Sequence, residues 1–211
     1  AGIIQARTVS NVNGVIRLDG GNVGTVHVSG TLDASAPSGG NGGVIETSGA
    51  NVKIDSEAII TAATPGGTAG KWLLDPTDIT VDAALAATLQ NTLNNGTNVT
   101  VQTQSTGSMG GDINVVSSVN WGTDRTLTLI AYRNVNVNAN LTASGSGNIT
   151  LRSDSGGTGT GTVSFDGGAI RLNGSGKASI YYNPSKYASP TDYTGNVTGG
   201  AYTGGFAGGL W

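Results

Sequence analysis

Short runs with an apolar residue at every second position recur along the whole chain. They include Val15-Ile16-Arg17-Leu18, Thr25-Val26-His27-Val28, Val44-Ile45-Glu46-Thr47, Val99-Thr100-Val101, Ile113-Asn114-Val115, Leu127-Thr128-Leu129, Val135-Asn136-Val137, Ile149-Thr150-Leu151 and Ile170-Arg171-Leu172. Each is bounded by Gly, Asn, Ser or Asp. Period-two alternation with turn residues at both ends predicts short, half-buried strands. From Thr126 to the matching strand at Asn148, a second strand intervenes, at Asn134 to Thr142. Two or three strands per unit of roughly 20 residues is the signature of a parallel β-helix. Val, Ile and Leu would point inward, with Thr, Asn, Ser and Arg outward. The alternative is an antiparallel β-sandwich, but two-residue hairpin signals are few.

One segment breaks the period. Asp82 is followed by Ala83, Ala84, Ala86 and Ala87, which favour helix, with Leu85, Leu89 and Leu93 on one stripe. Asp82 is a plausible N-cap and Asn95-Gly96 a stop. The spacing predicts one short flanking α-helix near 82–94, covering apolar surface, with a binding role as the alternative. Residues 1–180 then form the β-helix segment. Residues 181–211 hold five of the six Tyr and much Gly, and read as an end coil or a tail.

Composition sharpens this picture. Gly, Thr, Ser and Asn make up nearly half of the 211 residues, and only 11% is charged. The net charge of -3 gives no basic excess for nucleic acid or an anionic membrane. There is no apolar run of about 18 residues, so no membrane span is expected. The absence of Cys removes thiolate metal sites, disulfides and Cys nucleophiles. His27 is the single histidine, alternates with Val26 and Val28, and is expected to face solvent.

The run Gly42-Gly43-Val44-Ile45-Glu46-Thr47-Ser48-Gly49 and the phrase Lys71-Trp72-Leu73-Leu74-Asp75-Pro76-Thr77-Asp78-Ile79-Thr80 resemble a pattern in filamentous-haemagglutinin-like adhesins. So do Gly30-Thr31-Leu32-Asp33-Ala34-Ser35, Gly111 to Trp121, Thr126 to Leu129, and Tyr182-Asn183-Pro184 with Ser189 to Tyr193. Trp72 to Pro76 is the most specific piece, and the resemblance runs from about Ala1 to Tyr193. That family comprises exoproteins of bacterial two-partner secretion, including high-molecular-weight adhesins. The resemblance implies a right-handed β-helix, secretion through a paired outer-membrane transporter, a place on the cell surface, and adhesion to host or matrix glycans. The Asn-Pro-Asn motifs of the family's secretion domain do not occur here. An internal or C-terminal segment of a longer exoprotein is therefore expected.

Candidate chemistry is sparse. Asp75, Asp78 and Asp82 lie close in sequence and raise a glycan-cleaving reading. Turn and cap roles explain them better, so no catalytic residue is assigned and no enzyme is expected. A carbohydrate-active enzyme would need clustered carboxylates or a basic residue in one groove. No cofactor is expected; a structural Ca²⁺ at Asp154, Asp166 or Asp192 is the alternative. Aromatic rings are the usual sugar platforms. Trp121, Tyr181, Tyr182, Asn183, Lys186, Tyr187 and Tyr193 are the candidate ligand-binding residues, against a role in covering the solenoid end. Trp72 is assigned to the core or to helix packing. If the Tyr cluster binds sugar, Tyr182→Ala abolishes retention and leaves the melting temperature unchanged. Sequons occur at Asn95, Asn98, Asn140, Asn148, Asn173 and Asn196, candidate glycosylation sites in a family where some members carry that modification. Asn134, Asn136, Asn138 and Asn140 suggest a polar outer ladder. Thr126-x-Thr128 and Thr158-x-Thr160-x-Thr162 are too few for an ice-binding face. The expected function is a non-catalytic adhesin segment; a pure spacer is the alternative.

Overall fold

The computed structural model describes residues 2–7, 14–104, 110–182 and 191–206. Its strands run in successive turns of a parallel β-solenoid, about seven in all. After β1 (Ile3–Gln5), β2 (Val15–Asp19), β3 (Thr25–Val28) and β4 (Thr31–Asp33) form one turn. β5 (Val44–Gly49), β6 (Asn51–Ile54) and β7 (Ile59–Thr61) form the next. β8 (Lys71–Pro76) and β9 (Ile79–Val81) lead into the helix α1 (Ala83–Asn94). Three-stranded turns then resume, as β10 (Asn98–Gln102), β11 (Ile113–Val115) and β12 (Val119–Trp121), then β13 (Thr126–Ile130), β14 (Val135–Val137) and β15 (Leu141–Ala143). β16 (Asn148–Arg152), β17 (Val163–Phe165) and β18 (Ile170–Leu172) follow. β19 (Lys177–Tyr182), a short turn at Thr194–Asn196, β20 (Val197–Thr198) and β21 (Ala201–Phe206) complete the order.

One face is continuous. An eight-stranded sheet runs β2-β5-β8-β10-β13-β16-β19-β21, with parallel neighbours throughout. The strict pleat turns its alternation into columns. Ile16, Ile45, Trp72, Val99, Leu127 and Ile149 occupy one inward column, all buried. The next column carries Thr47 between Leu18 and Leu74. Its hydroxyl accepts from the Trp72 indole Nε1 at 3.0 Å, so each polar group satisfies the other inside the core. Trp72 is therefore a core residue. Among the described residues after Tyr181, β20 stacks on β18 and β21 on β19, continuing the same ladders.

The other faces change partway along. β1-β4-β7 and β3-β6 cover the first turns; β9-β11-β14-β17 and β12-β15-β18-β20 cover the later ones. α1 stands between them, where a third strand would be. The side chain of Asp82 caps it, accepting from Leu85 N at 3.0 Å. Leu85, Leu89 and Leu93 form the buried stripe. Gly96, at φ +89°, lets the chain leave the helix in a conformation that L side chains rarely adopt. The helix also serves the neighbouring edge strand. Gln90 Oε1 accepts from Asn120 N and Asn94 Oδ1 from Gly122 N, each at 2.9 Å. Four helical residues rise about 6 Å and two strand residues about 6.6 Å, so an i,i+4 pair matches alternate strand amides.

Among the described residues no helix is long and apolar enough to cross a membrane.

Candidate functional site

The aromatic candidates divide by burial. Trp121 is 1% exposed, and its Nε1 donates to Arg125 O at 2.9 Å. Its strand lies beside α1, so the ring fills the core instead of meeting a ligand. Tyr182 is 2% and Tyr193 3% exposed. Their rings meet edge to face at 5.6 Å, and Phe165 packs on Tyr193 at 5.8 Å. The Tyr193 hydroxyl donates to Val163 O at 2.9 Å, and that of Tyr182 to Thr191 O at 3.3 Å. Burial pushes the Tyr193 hydroxyl above the usual phenol range. These rings close the end of the core, where large aromatic area is buried to most effect. They are corrected from sugar platforms to core residues. Tyr181 points outward and is half-buried. Asn183, Lys186 and Tyr187 lie outside the described residues.

The asparagines are mostly structural. Asn98 Oδ1 accepts from Thr126 N and Asn148 Oδ1 from Lys177 N, tying each turn to the next. Asn134 Oδ1 does the same for Thr162 N. Asn136 donates to Asn114 and accepts from Ser164, a ladder across three turns. Of the sequons, Asn95 and Asn173 are exposed, while Asn98, Asn140, Asn148 and Asn196 are half-buried.

The carboxylates near Pro76 serve local architecture. Asp82 caps α1, and Asp78 Oδ1 accepts from Gly111 N and Asp112 N. Asp154 is fully buried at φ +49°, with its carboxylate held by Thr158 N, Thr158 Oγ1 and Gly159 N. Asp192 accepts from Thr194, and Asp166 is exposed. Among the described residues no group of three or more His, Cys, Asp or Glu side chains is arranged to hold a metal ion. His27 is exposed, with Nε2 2.9 Å from Asp55 Oδ1.

Asp75 differs from the other two. Register places Arg17, Glu46 and Leu73 in one outward column and Asp19, Ser48 and Asp75 in the next. Arg17, Asp19, Glu46, Ser48 and Asp75, together with Gln104 from the following turn, line a groove of about 210 Å³. Arg17 Nε lies 3.4 Å from Glu46 Oε1, and Arg17 Nη2 lies 3.3 Å from Asp19 Oδ2. Ser48 Oγ donates to Glu46 Oε1 at 3.1 Å. Gln104 Nε2 donates to Asp75 Oδ2 at 2.7 Å, while Asp75 Oδ1 is buried without a partner among the described residues. Burial pushes the Asp75 carboxyl above its ordinary range, and the charge of Glu46 adds to that. The Gln104 hydrogen bond opposes both. The groove thus sets a cation, an amide, a hydroxyl and three carboxyls side by side.

The sequence reading missed Arg17, Glu46 and Gln104. They converge only through register, and strand partners in adjacent turns are separated by anything from 22 residues, as Ile113 and Val135, to 34, as Ile79 and Ile113. A constant repeat would have been the signal, and the chain has none.

The same outward face carries Thr100, Thr128, Thr150, Ser179 and Thr203 in one rank. The adjoining rank holds Asn98, Thr126, Asn148 and Lys177, so paired threonine ranks do not form.

Comparison with protein-family models, with curated proteins and with solved structures finds no match. The fold and the groove carry the functional reading.

Proposed function

We propose that the chain is a non-catalytic segment of a secreted bacterial surface adhesin, a rod that contacts host or matrix glycans. The polar groove of Arg17, Glu46, Ser48, Asp75 and Gln104 is the observation that supports this best. Sugar hydroxyls donate and accept at once, so donors and acceptors set side by side suit them. The groove is smaller than the roughly 300 Å³ of the smallest typical ligand pockets, so it takes one residue of a glycan. The resemblance around Trp72 to Pro76 supports the secreted setting, with an outer-membrane transporter as export partner. A stacked solenoid also suits a spacer, the reading that stands if no glycan binds.

A carbohydrate-active enzyme is the second reading, favoured by one observation. Asp75, held toward its protonated form by burial, shares the groove with Glu46. Two carboxyls in unlike environments are the starting point of general acid–base chemistry. Beads coated with the folded chain test adhesion, by retention on immobilised matrix glycans and release by free oligosaccharide. Assay of new reducing ends after incubation with the same glycans separates the two readings. Retention without reducing ends is the expected result. New reducing ends would replace the adhesin with the enzyme.

A further inference from the structure

A groove of about 470 Å³ lies between β6 and β9 and is closed at one end by the start of α1. These strands occupy equivalent places in consecutive turns but do not pair. Among the described residues β6 pairs only with β3, and β9 only with β11. The last rung before they part is Thr77 N to Ala50 O, at 3.3 Å. Beyond it the two edges face one another across the groove.

The helix explains the gap. A strand occupies about 4.8 Å along a sheet, and a helix with its side chains about 10 Å. α1 is seated between β7 and β12, held by Thr88 Oγ1 to Asp55 O and Thr123 Oγ1 to Leu93 O. The turn containing α1 needs about one strand's width more than its neighbours. β9 feeds directly into α1 and pairs with the turn above, so the extra width opens between β6 and β9.

The edges carry free hydrogen-bonding groups. Successive residues of a strand send their N–H and C=O to opposite sides. Asn51 N and Asp55 N bond to β3, which leaves Val52 and Ile54 directed toward the groove. Ile79 N and Val81 O bond on the β11 side, which leaves Thr80 directed toward it from across. The inner lining is apolar, with Ile54, Ile79 and Leu85. The outer lining has four carboxylates, Asp55, Glu57, Asp78 and Asp82, against the single ammonium of Lys53.

We propose that this groove binds one extended peptide strand by β-addition between β6 and β9, with apolar residues facing inward and basic residues outward. The missing strand's width sets the single-strand occupancy, the open edges set the backbone hydrogen bonds, and the acidic rim sets the charge. The inference is independent of glycan binding at the other groove.

The test uses the full chain and a fluorescein-labelled hexapeptide alternating valine and lysine, followed by anisotropy. Saturable binding is expected, at least about tenfold tighter than for the valine–glutamate counterpart. N-methylation of alternate peptide amides abolishes it, because the side chains stay and the backbone donors go. Hydrogen exchange at Val52, Ile54 and Thr80 slows by about tenfold or more on saturation. Glu57→Lys weakens binding, and Thr80→Pro removes one donor at an open edge where proline is tolerated. Any of three results would overturn the proposal: no saturation up to about 1 mM peptide, equal binding of the N-methylated peptide, or binding that leaves those amides exchanging as before. The peptide-side controls decide the matter even if Thr80→Pro does not fold.

Discussion

Replacing Asp75 by Asn gives the most informative change at the polar groove. The residue is 9% exposed, and its Oδ1 has no hydrogen-bond partner among the described residues. Leaving a buried polar group unsatisfied costs about 1–3 kcal/mol, and more when it is charged. Asn keeps the acceptor for Gln104 Nε2 and removes the charge, though it leaves an amide in place of Oδ1. The net gain at neutral pH is therefore at the low end, about 1 kcal/mol, or about 2–4 °C in melting temperature for a chain of this size. The pH dependence fixes the sign. Burial raises the native carboxyl from its reference value of 3.8, so the native state binds the proton more tightly than the unfolded chain. Wild-type stability from this group is greatest below 3.8 and falls as pH rises through the native value. The Asp75→Asn variant has no such fall. The melting difference, variant minus wild type, is thus near zero at about pH 3 and reaches its positive plateau by about pH 7. Scanning calorimetry across that range measures it, and taking the difference cancels the other carboxyls. A variant less stable than wild type at pH 7 would refute the reasoning, since it would mean that the ionised carboxylate has a favourable partner in the groove.

Three further predictions concern the fold. Tyr182→Ala lowers stability by about 3–5 kcal/mol in a denaturant titration, because it removes a buried ring packed on Tyr193; an unchanged midpoint would restore the sugar-platform reading. Asp82→Ala costs about 1 kcal/mol by loss of the helix cap, measurable by the same titration. Asp112 behaves oppositely to Asp75. Burial pushes its carboxyl up, but hydrogen bonds from Arg133 and Asn134, together with the Arg133 charge, more than offset this and hold it below the usual range. Its stabilisation is complete above the reference value of 3.8 and is lost as pH falls through the lowered native value, so Asp112→Asn narrows the stability gap between neutral and acid pH.

The parts of the fold that were legible in sequence are those set by local period. The alternation around Ile45, Leu127 and Ile149 placed the inward column, because each strand decides its own faces. The Leu85, Leu89 and Leu93 stripe with Asp82 and Gly96 located the helix, because caps are local chemistry. The aromatic assignments failed where burial depends on another turn. Trp121 ends its strand beside Gly122, and nothing nearby shows that α1, about thirty residues earlier, packs against that strand. For Tyr182 and Tyr193 composition left sugar binding and covering of the solenoid end both open, and it is β20 and β21, by extending the ladders, that carry the rings inward. Both grooves were invisible for the same reason. One requires the register of Arg17 on Glu46 and Ser48 on Asp75, and the other requires two strands that fail to pair.

A glycan array comparing the folded chain with its Arg17→Ala variant tests the adhesin reading most directly. Arg17 is exposed, and among the described residues its side chain pairs with Asp19 and Glu46 of the groove, so the variant leaves the core untouched. Losing a charged hydrogen bond costs about 1.5–3 kcal/mol, which is at least about tenfold in affinity. The expected result is retention on one glycan class by the wild-type chain, reduced by that factor in the variant. A folded chain that retains no glycan, or a variant that binds as tightly as the wild type, would contradict it.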